Sequence, residues 1–342
     1  MRTQTMRTQT MSIPITMGIL GAARIAPNAL LRPARQVEGV QAYGMAARDP
    51  DRARQFAARY GVARTYESYE AMLADPKLVA IYNPLPNSLH CAWTINALRA
   101  GKHVLCEKPL AANADQAQQM ANVASETGLV LMEAFHNLYH PLAMRAQELI
   151  QSGVIASLRH VEAHFCIPLL RFNDIRYDYN LAGGATMDLG CYTIRLLRYL
   201  TNAEPQVTSA RAYLSSPQVD RYMEASFTFP NATGAEITGR MTCSFFSRKL
   251  LYIAATARGE RGEIRLLNPI LPHLFNRLSV RAGGRTHTES ISGETTYVYQ
   301  LRAFANAVRG GAHILTDAQD AVANMRIIDA VYEKAGLQLR GQ

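Results

Sequence analysis

Through the first 135 residues, short apolar runs alternate with amphipathic stretches in a strand, helix, strand rhythm. Residues 15–21 read as a strand buried on both faces that ends in a tight turn, and 22–26 as the start of a helix. The next strand is 40–47. Asp49 before Pro50 marks an N-cap and predicts a helix over 50–60. A short helix at 69–74 leads to a strand at 78–83, and the prolines of Pro84-Leu85-Pro86-Asn87-Ser88-Leu89-His90 predict a stiff loop with polar tips. Helix 92–100, closed by Gly101, delivers the chain to a strand that starts at His103. A helix at 115–127 and a strand at 129–133 complete this half. Such alternation predicts a parallel, doubly wound sheet with right-handed crossovers.

After that the rhythm changes. A helix at 142–152 precedes a long strand at 157–167 and a polar loop at 173–178. The pair Gly183-Gly184 then opens a helix through Asp188 and Tyr192, which continues along an Ile/Leu stripe at 193–200. Alternating segments at 207–214, 224–229, 235–244, 250–257, 262–267 and 278–281 predict a large, open, mostly antiparallel sheet. Two amphipathic helices follow at 300–309 and 316–335, the second with Thr316 as its N-cap. The expected class is α/β. Its expected parts are a disordered tail at 1–12, a dinucleotide-binding domain at 13–135, a substrate-binding and oligomerisation domain at 136–315, and a C-terminal helix at 316–342 packing back between the two.

Composition narrows the function. With 342 residues, 48% hydrophobic and 18% charged, the chain has room for two ordinary globular cores. No apolar run is long enough to span a bilayer, and no apolar segment of signal-peptide type follows the N-terminal arginines. The five cysteines are scattered without CxxC or CxxH spacing, which points to buried thiols in a reducing cytoplasm and argues against a structural metal. The net charge of +9 comes from dispersed arginines, so nucleic acid is not an expected partner. A phosphorylated cofactor suits that charge.

The chemistry gathers around residues 103–111. A short buried strand runs directly into Glu107-Lys108-Pro109, which puts a lysine at the lip of a parallel sheet, where open α/β folds bind ligands. The proline makes that corner stiff. Read alone, Glu107 and Lys108 are equally well a solvated ion pair. Upstream, Gly21 supplies the turn of a dinucleotide fingerprint, with Ala23 and Ala26 in place of the later glycines. At the tip of the second strand Ala47 is followed by Arg48, a small residue and a planar cation that suit a 2′-phosphate. NADP is therefore favoured, with NAD the alternative. Asp188 and Tyr192, four apart, share a helix face.

Together, Gly18 to Ala26, Pro84 to His90 and Gly101 to Leu110 resemble the glucose-fructose oxidoreductase/inositol dehydrogenase (Gfo/Idh/MocA) family, from about residue 13 onward. The resemblance implies a cis peptide before Pro109, Lys108 facing the nicotinamide, and a homodimer or homotetramer joined through the second sheet. The stretch Met132 to Pro141 resembles the family's crossover between domains, with His136, Asn137 and Leu138 where relatives often carry bulkier or basic residues. Tyr192, where many relatives have histidine, is similar to the sugar-oxidoreductase and dihydrodiol-dehydrogenase branch. The implied activity is reversible oxidation of a secondary alcohol or hemiacetal on a sugar, polyol or related diol, an EC 1.1.1-type reaction. Lys108, Asp188 and Tyr192 would carry catalysis, with the ammonium favouring the phenolate. Expected cofactor contacts are Gly21, Ala23, Arg24, Ile25, Arg48, Leu85, Pro86, Asn87, His90, Glu107, Lys108 and Arg176, with Arg176, Asn87 and His90 also candidate substrate supports. The competing readings are an NAD(P)-dependent glycoside hydrolase of the same fold and a non-catalytic NADP-binding sensor.

Overall fold

The computed structural model of the protein describes residues 14–230, 236–311 and 313–342; the expected tail at 1–12 and the expected strand start at Ala235 lie outside the described residues. Six strands build the first sheet: β1 (Ile15–Leu20), β2 (Val40–Ala46), β3 (Arg64–Tyr66), β4 (Ala80–Asn83), β5 (His103–Cys106) and β6 (Leu131–Glu133). They are all parallel, in the order β3-β2-β1-β4-β5-β6. In this order the chain reverses its winding between β1 and β4, and ligands bind at such a switch point, beyond the carboxyl ends of the strands. Those ends here are Gly21 after β1, Ala47-Arg48 after β2, Pro84-Leu85 after β4 and Glu107-Lys108 after β5.

The second sheet holds β7 (Leu158–Cys166), β8 (Gln206–Ser216), β9 (Val219–Phe229), β10 (Ile237–Ser244), β11 (Tyr252–Gly259), β12 (Gly262–Leu267), β13 (Arg277–Ala282) and β14 (Arg285–Glu289). Its order is β14-β13-β12-β11-β7-β10-β9-β8, antiparallel except where β7 meets β10. Helix Cys191–Thr201 covers the inner face, burying Ile194, Leu196, Leu197 and Leu200. The other face carries charge pairs such as Arg240 with Glu224 and Arg258 with Glu263. The last helix, Ala318–Lys334, packs on Ala114–Thr127 and also on β8 and Cys191–Thr201.

Several expected boundaries shift, each for a local reason. No helix starts at Ala22; the chain turns there, and a wide helical turn forms only over Pro27–Leu31, where proline at the first position needs no donor. The helix expected from residue 92 starts at Asn87, since extended Pro86 (φ −57°, ψ 147°) is a good lead-in residue. The last helix is capped by Asp317, whose carboxylate accepts from Asp320 N, while Thr316 gives its hydroxyl to Glu133 O. β3 and β14 are short and lack an apolar alternation, so nothing in the pattern marks them.

Candidate active site

Lys108 projects from the end of β5, and the Lys108–Pro109 peptide is cis, as the family resemblance implies. Its ammonium donates to Asp188 Oδ1 at 2.9 Å and to Asp188 O at 2.8 Å. Asp188 belongs to Thr186–Gly190, a wide helical turn that feeds helix Cys191–Thr201. Single wide turns of this kind are frequent at functional sites. The turn is pinned by buried Asp220, which accepts from Thr186 N and Thr186 Oγ1, each at 2.7 Å. Gly184 (φ +134°) makes room for that contact, because a Cβ there would lie 2.2 Å from Asp220 Oδ1.

On its far side Asp188 Oδ2 accepts from Arg176 Nε at 2.8 Å. Arg176 also reaches Asp174 at 3.2 Å, and Asp174 holds Arg24 at 3.0 Å. Arg24, Asp174, Arg176, Asp188 and Lys108 thus alternate in sign across the cleft, from the fingerprint turn to the lysine. For Lys108, burial pushes the pKa down but the Asp188 carboxylate outweighs it, and the net shift is upward. For Asp188, burial pushes up while Lys108 and Arg176 pull down harder, so the carboxylate stays ionised. Glu107, raised by burial, accepts a 2.6 Å hydrogen bond from the Tyr82 hydroxyl.

Tyr192 is held differently. Its ring packs edge-on against Phe135 and Phe165, with centroids 5.2 and 5.7 Å away. The Lys108 ammonium sits over the ring face, 4.8 Å from its centre. The hydroxyl pairs instead with His136 Nε2 at 3.0 Å. Burial drives the phenol pKa well above 10 and that of His136 down to about 3. The expected lysine-stabilised phenolate is therefore not what this arrangement holds: the ammonium faces the π cloud, and the oxygen faces a neutral imidazole.

On the dinucleotide side, Gly21 takes φ +82°, a left-handed turn that glycine makes without strain. Among the described residues the backbone N–H groups of Ala22, Ala23, Arg24 and Ile25 make no hydrogen bond, which leaves four donors for an anion. Arg48 is exposed and has no carboxylate partner among the described residues, and buried Ala47 fills the place an acidic residue would occupy in a site built for NAD. This donor set fits a phosphorylated dinucleotide. Leu85 and Pro86 line the β4 end, where Leu85 lies 3.1 Å from where a Gly21 Cβ would stand. Asn87 is spent on Ala182 O at 3.0 Å, tying the two halves together. His90 corrects an expectation. It is wholly buried, and its ring nitrogens bridge Leu85 O at 2.8 Å and Pro109 O at 2.9 Å, so it braces two site loops and has no nitrogen left for a ligand. Arg176, expected at the cofactor, is engaged by Asp188 and Asp174.

Three contributions are not visible in the sequence: those of Tyr82 and Asp220, and the pairing of His136, noted above only for its place in the crossover, with Tyr192. Each acts through a partner at least 25 residues away, and the chain offers no spacing that would reveal it. Among the described residues no group of three or more His, Cys, Asp or Glu could hold a metal, all five cysteines are free and buried, and no helix is long and apolar enough to cross a membrane.

A parallel sheet with a fingerprint turn, and a lysine, a carboxylate and a tyrosine meeting beyond the carboxyl end of β5, define a nucleotide-linked oxidoreductase. Residues 15–135 match the model of the Gfo/Idh/MocA oxidoreductase family with its NAD-binding Rossmann fold, and 143–265 match the family's C-terminal domain. The chain belongs to this family. It is 36% identical to D-xylose 1-dehydrogenase (NADP(+)) 2 of Haloferax volcanii over 93% of this chain and 96% of that one. It is 31% identical to trans-1,2-dihydrobenzene-1,2-diol dehydrogenase of Macaca fuscata fuscata over 67% of each chain. Among solved structures, a 3-ketoreductase from Actinomadura kijaniata in complex with NADP and TDP-benzene superposes with a TM-score of 0.84 at 30% identity, covering 94% of this chain and 98% of that one.

Proposed function

We propose that this protein is an NADP-linked oxidoreductase that interconverts a secondary alcohol or hemiacetal and its carbonyl on a sugar, polyol or related diol. The observation that carries this reading is the meeting of Lys108, Asp188 and Tyr192 at the carboxyl end of β5. NADP, held at Gly21, Ala23, Arg24, Ile25 and Arg48, would supply or accept the hydride. The protein's part is the oxygen and its proton. Lys108 polarises the substrate oxygen, Asp188 keeps the lysine charged and accepts from a neighbouring hydroxyl, and Tyr192 exchanges the proton. We divide the chain into a dinucleotide-binding domain at 13–135, a substrate domain at 136–315 and a returning C-terminal helix. The charged outer face of the second sheet is our choice for self-association into a homodimer or homotetramer. The free thiols suit the cytoplasm.

A panel of aldoses, keto-sugars and diols, assayed with NADP(H) and NAD(H) at the reduced-nicotinamide band, tests the reading. At least one of them should turn over with net change of the cofactor, fastest with NADP(H). Tyr192→Phe should lower turnover about 100-fold or more, the scale of general acid–base catalysis. Near wild-type turnover in that variant would remove Tyr192 from the chemistry, and sugar turnover without net cofactor change would indicate hydrolysis instead.

A further inference from the structure

Resting on that reading, we propose that Asp174 is a positioning residue that couples the two binding events. Cofactor held at Arg24 sets the Asp188 carboxylate for the sugar, and sugar at Asp188 tightens the hold on the cofactor. Asp174 stands second in the row of alternating charges that runs from Arg24 to Lys108. Its side chain is only 3% exposed, and its two oxygens serve opposite halves of the chain. Oδ2 accepts from Arg24 Nη2 at 3.0 Å, while Oδ1 accepts from Arg176 N and Arg176 Nη1, each at 3.2 Å. Arg176 hands the contact on, donating through Nε to Asp188 Oδ2 at 2.8 Å. A tight charge-assisted hydrogen bond measures roughly 2.7–2.9 Å, so the Asp174–Arg176 joint has room to tighten.

Arg24 is the loose end of the row. Its side chain is 71% exposed, and Nε and Nη1 have no partner among the described residues. It stands on the turn whose unspent backbone N–H groups suit an anion. An ion pair with so exposed a cation adds little to stability, so its worth lies elsewhere. A dinucleotide phosphate on Nε or Nη1 would immobilise the guanidinium. Asp174 is then gripped from both sides, and the freedom that Arg24 has already given up is not lost again when sugar binds. The gain arrives at Asp188, whose Oδ1 is fixed by Lys108 and whose Oδ2 is fixed by Arg176. Thermodynamic linkage makes the effect reciprocal. Sugar and nicotinamide also meet directly, but that contact does not pass through Asp174. Removing the carboxylate therefore separates the two routes.

The test reads NADPH affinity by fluorescence titration, with and without a saturating amount of the panel compound that reduces NADP fastest. NADPH and that compound form a dead-end pair, so no turnover intervenes, and the ratio of the two dissociation constants is the coupling. In the wild type the compound should tighten NADPH about fivefold or more, and in Asp174→Asn by less than about twofold. Asparagine keeps the cap on Arg176 N and loses only the charge. Arg24→Gln should lose the coupling to the same extent, and the double variant should lose no more than either single one. A merely structural role would shift both constants together and leave their ratio intact. Asp174→Asn with the wild-type ratio would overturn the proposal, as would a wild-type ratio near one. Should Asp174→Asn fail to fold, Arg24→Gln, on the exposed turn, decides alone. A wild-type protein that binds neither NADPH nor NADH, or that turns over no panel compound, would sink the parent reading instead.

Discussion

Lys108 and Tyr192 lie against each other, yet opposite physics holds them. The lysine is held by charge, as the end of a ladder of five alternating side chains that spans the cleft. The tyrosine is held by shape, between Phe135 and Phe165, with one neutral hydrogen bond at its tip. A site built this way separates its tasks. The charged side fixes an electric field where a substrate oxygen would lie, and the uncharged side handles a proton without creating a buried ion.

The sharpest way to break this division is to remove the charge and keep the volume. Lys108→Met should lower kcat about 1,000-fold or more, with NADPH binding little changed. A loss smaller than about tenfold in steady-state turnover would shift the catalytic weight to the tyrosine side. A smaller effect is expected at the tip of β2, outside the ladder. Arg48→Ala should raise KM for NADP about 10- to 100-fold, the worth of a hydrogen bond to a charged group, and leave KM for NAD unchanged. Equal loss with both cofactors would deny Arg48 a role at the 2′-phosphate.

The smallest effect concerns the framework behind the lysine. Glu133 lies wholly buried on β6, accepts from Leu110 N at 2.7 Å with one oxygen, and leaves the other without a partner. Burial first, then the Asp320 carboxylate, pushes its pKa up to about 8. The folded protein therefore holds this proton more tightly than the unfolded chain, which releases it near 4.5. Stability from this group is complete below pH 4.5 and is lost as pH rises through about 8. Glu133→Gln keeps the acceptor and removes the titration, so its melting temperature should fall less between pH 6 and 9 than that of the wild type, by a few degrees. Asp329, raised by burial to about 7, adds a similar slope in both proteins. Parallel melting curves would show that Glu133 stays ionised in the fold.

What could be read from the chain follows the same division. Glu107-Lys108-Pro109 is contiguous, and Asp188 and Tyr192 are four apart, so covalent spacing alone brought the main site residues into view. The alternation of short apolar runs sufficed for the parallel sheet apart from β3, and for most of the second sheet. The tyrosine's partner was not readable, because His136 lies 56 residues away on a short connecting turn, in a stretch that offers no periodicity. His90 misled for a related reason. The prolines around it suggested a loop tip, but the helix begins at Asn87 and takes the ring into the core. The ladder, too, depends on Arg24 and Asp174 meeting across 150 residues, a contact only the fold creates.

The buried guanidinium of Arg340 acts on the site from a distance. It donates to Gly183 O at 2.8 Å and to Asp220 Oδ1 at 3.2 Å, and it lies 4.1 Å from the centre of the Tyr332 ring. Asp220 in turn secures the turn that presents Asp188. Without Arg340 the fold would enclose that carboxylate with no cation to offset it. The carboxylate that faces Lys108 is thus set in place by a cation that never touches it, through the buried Asp220 between them.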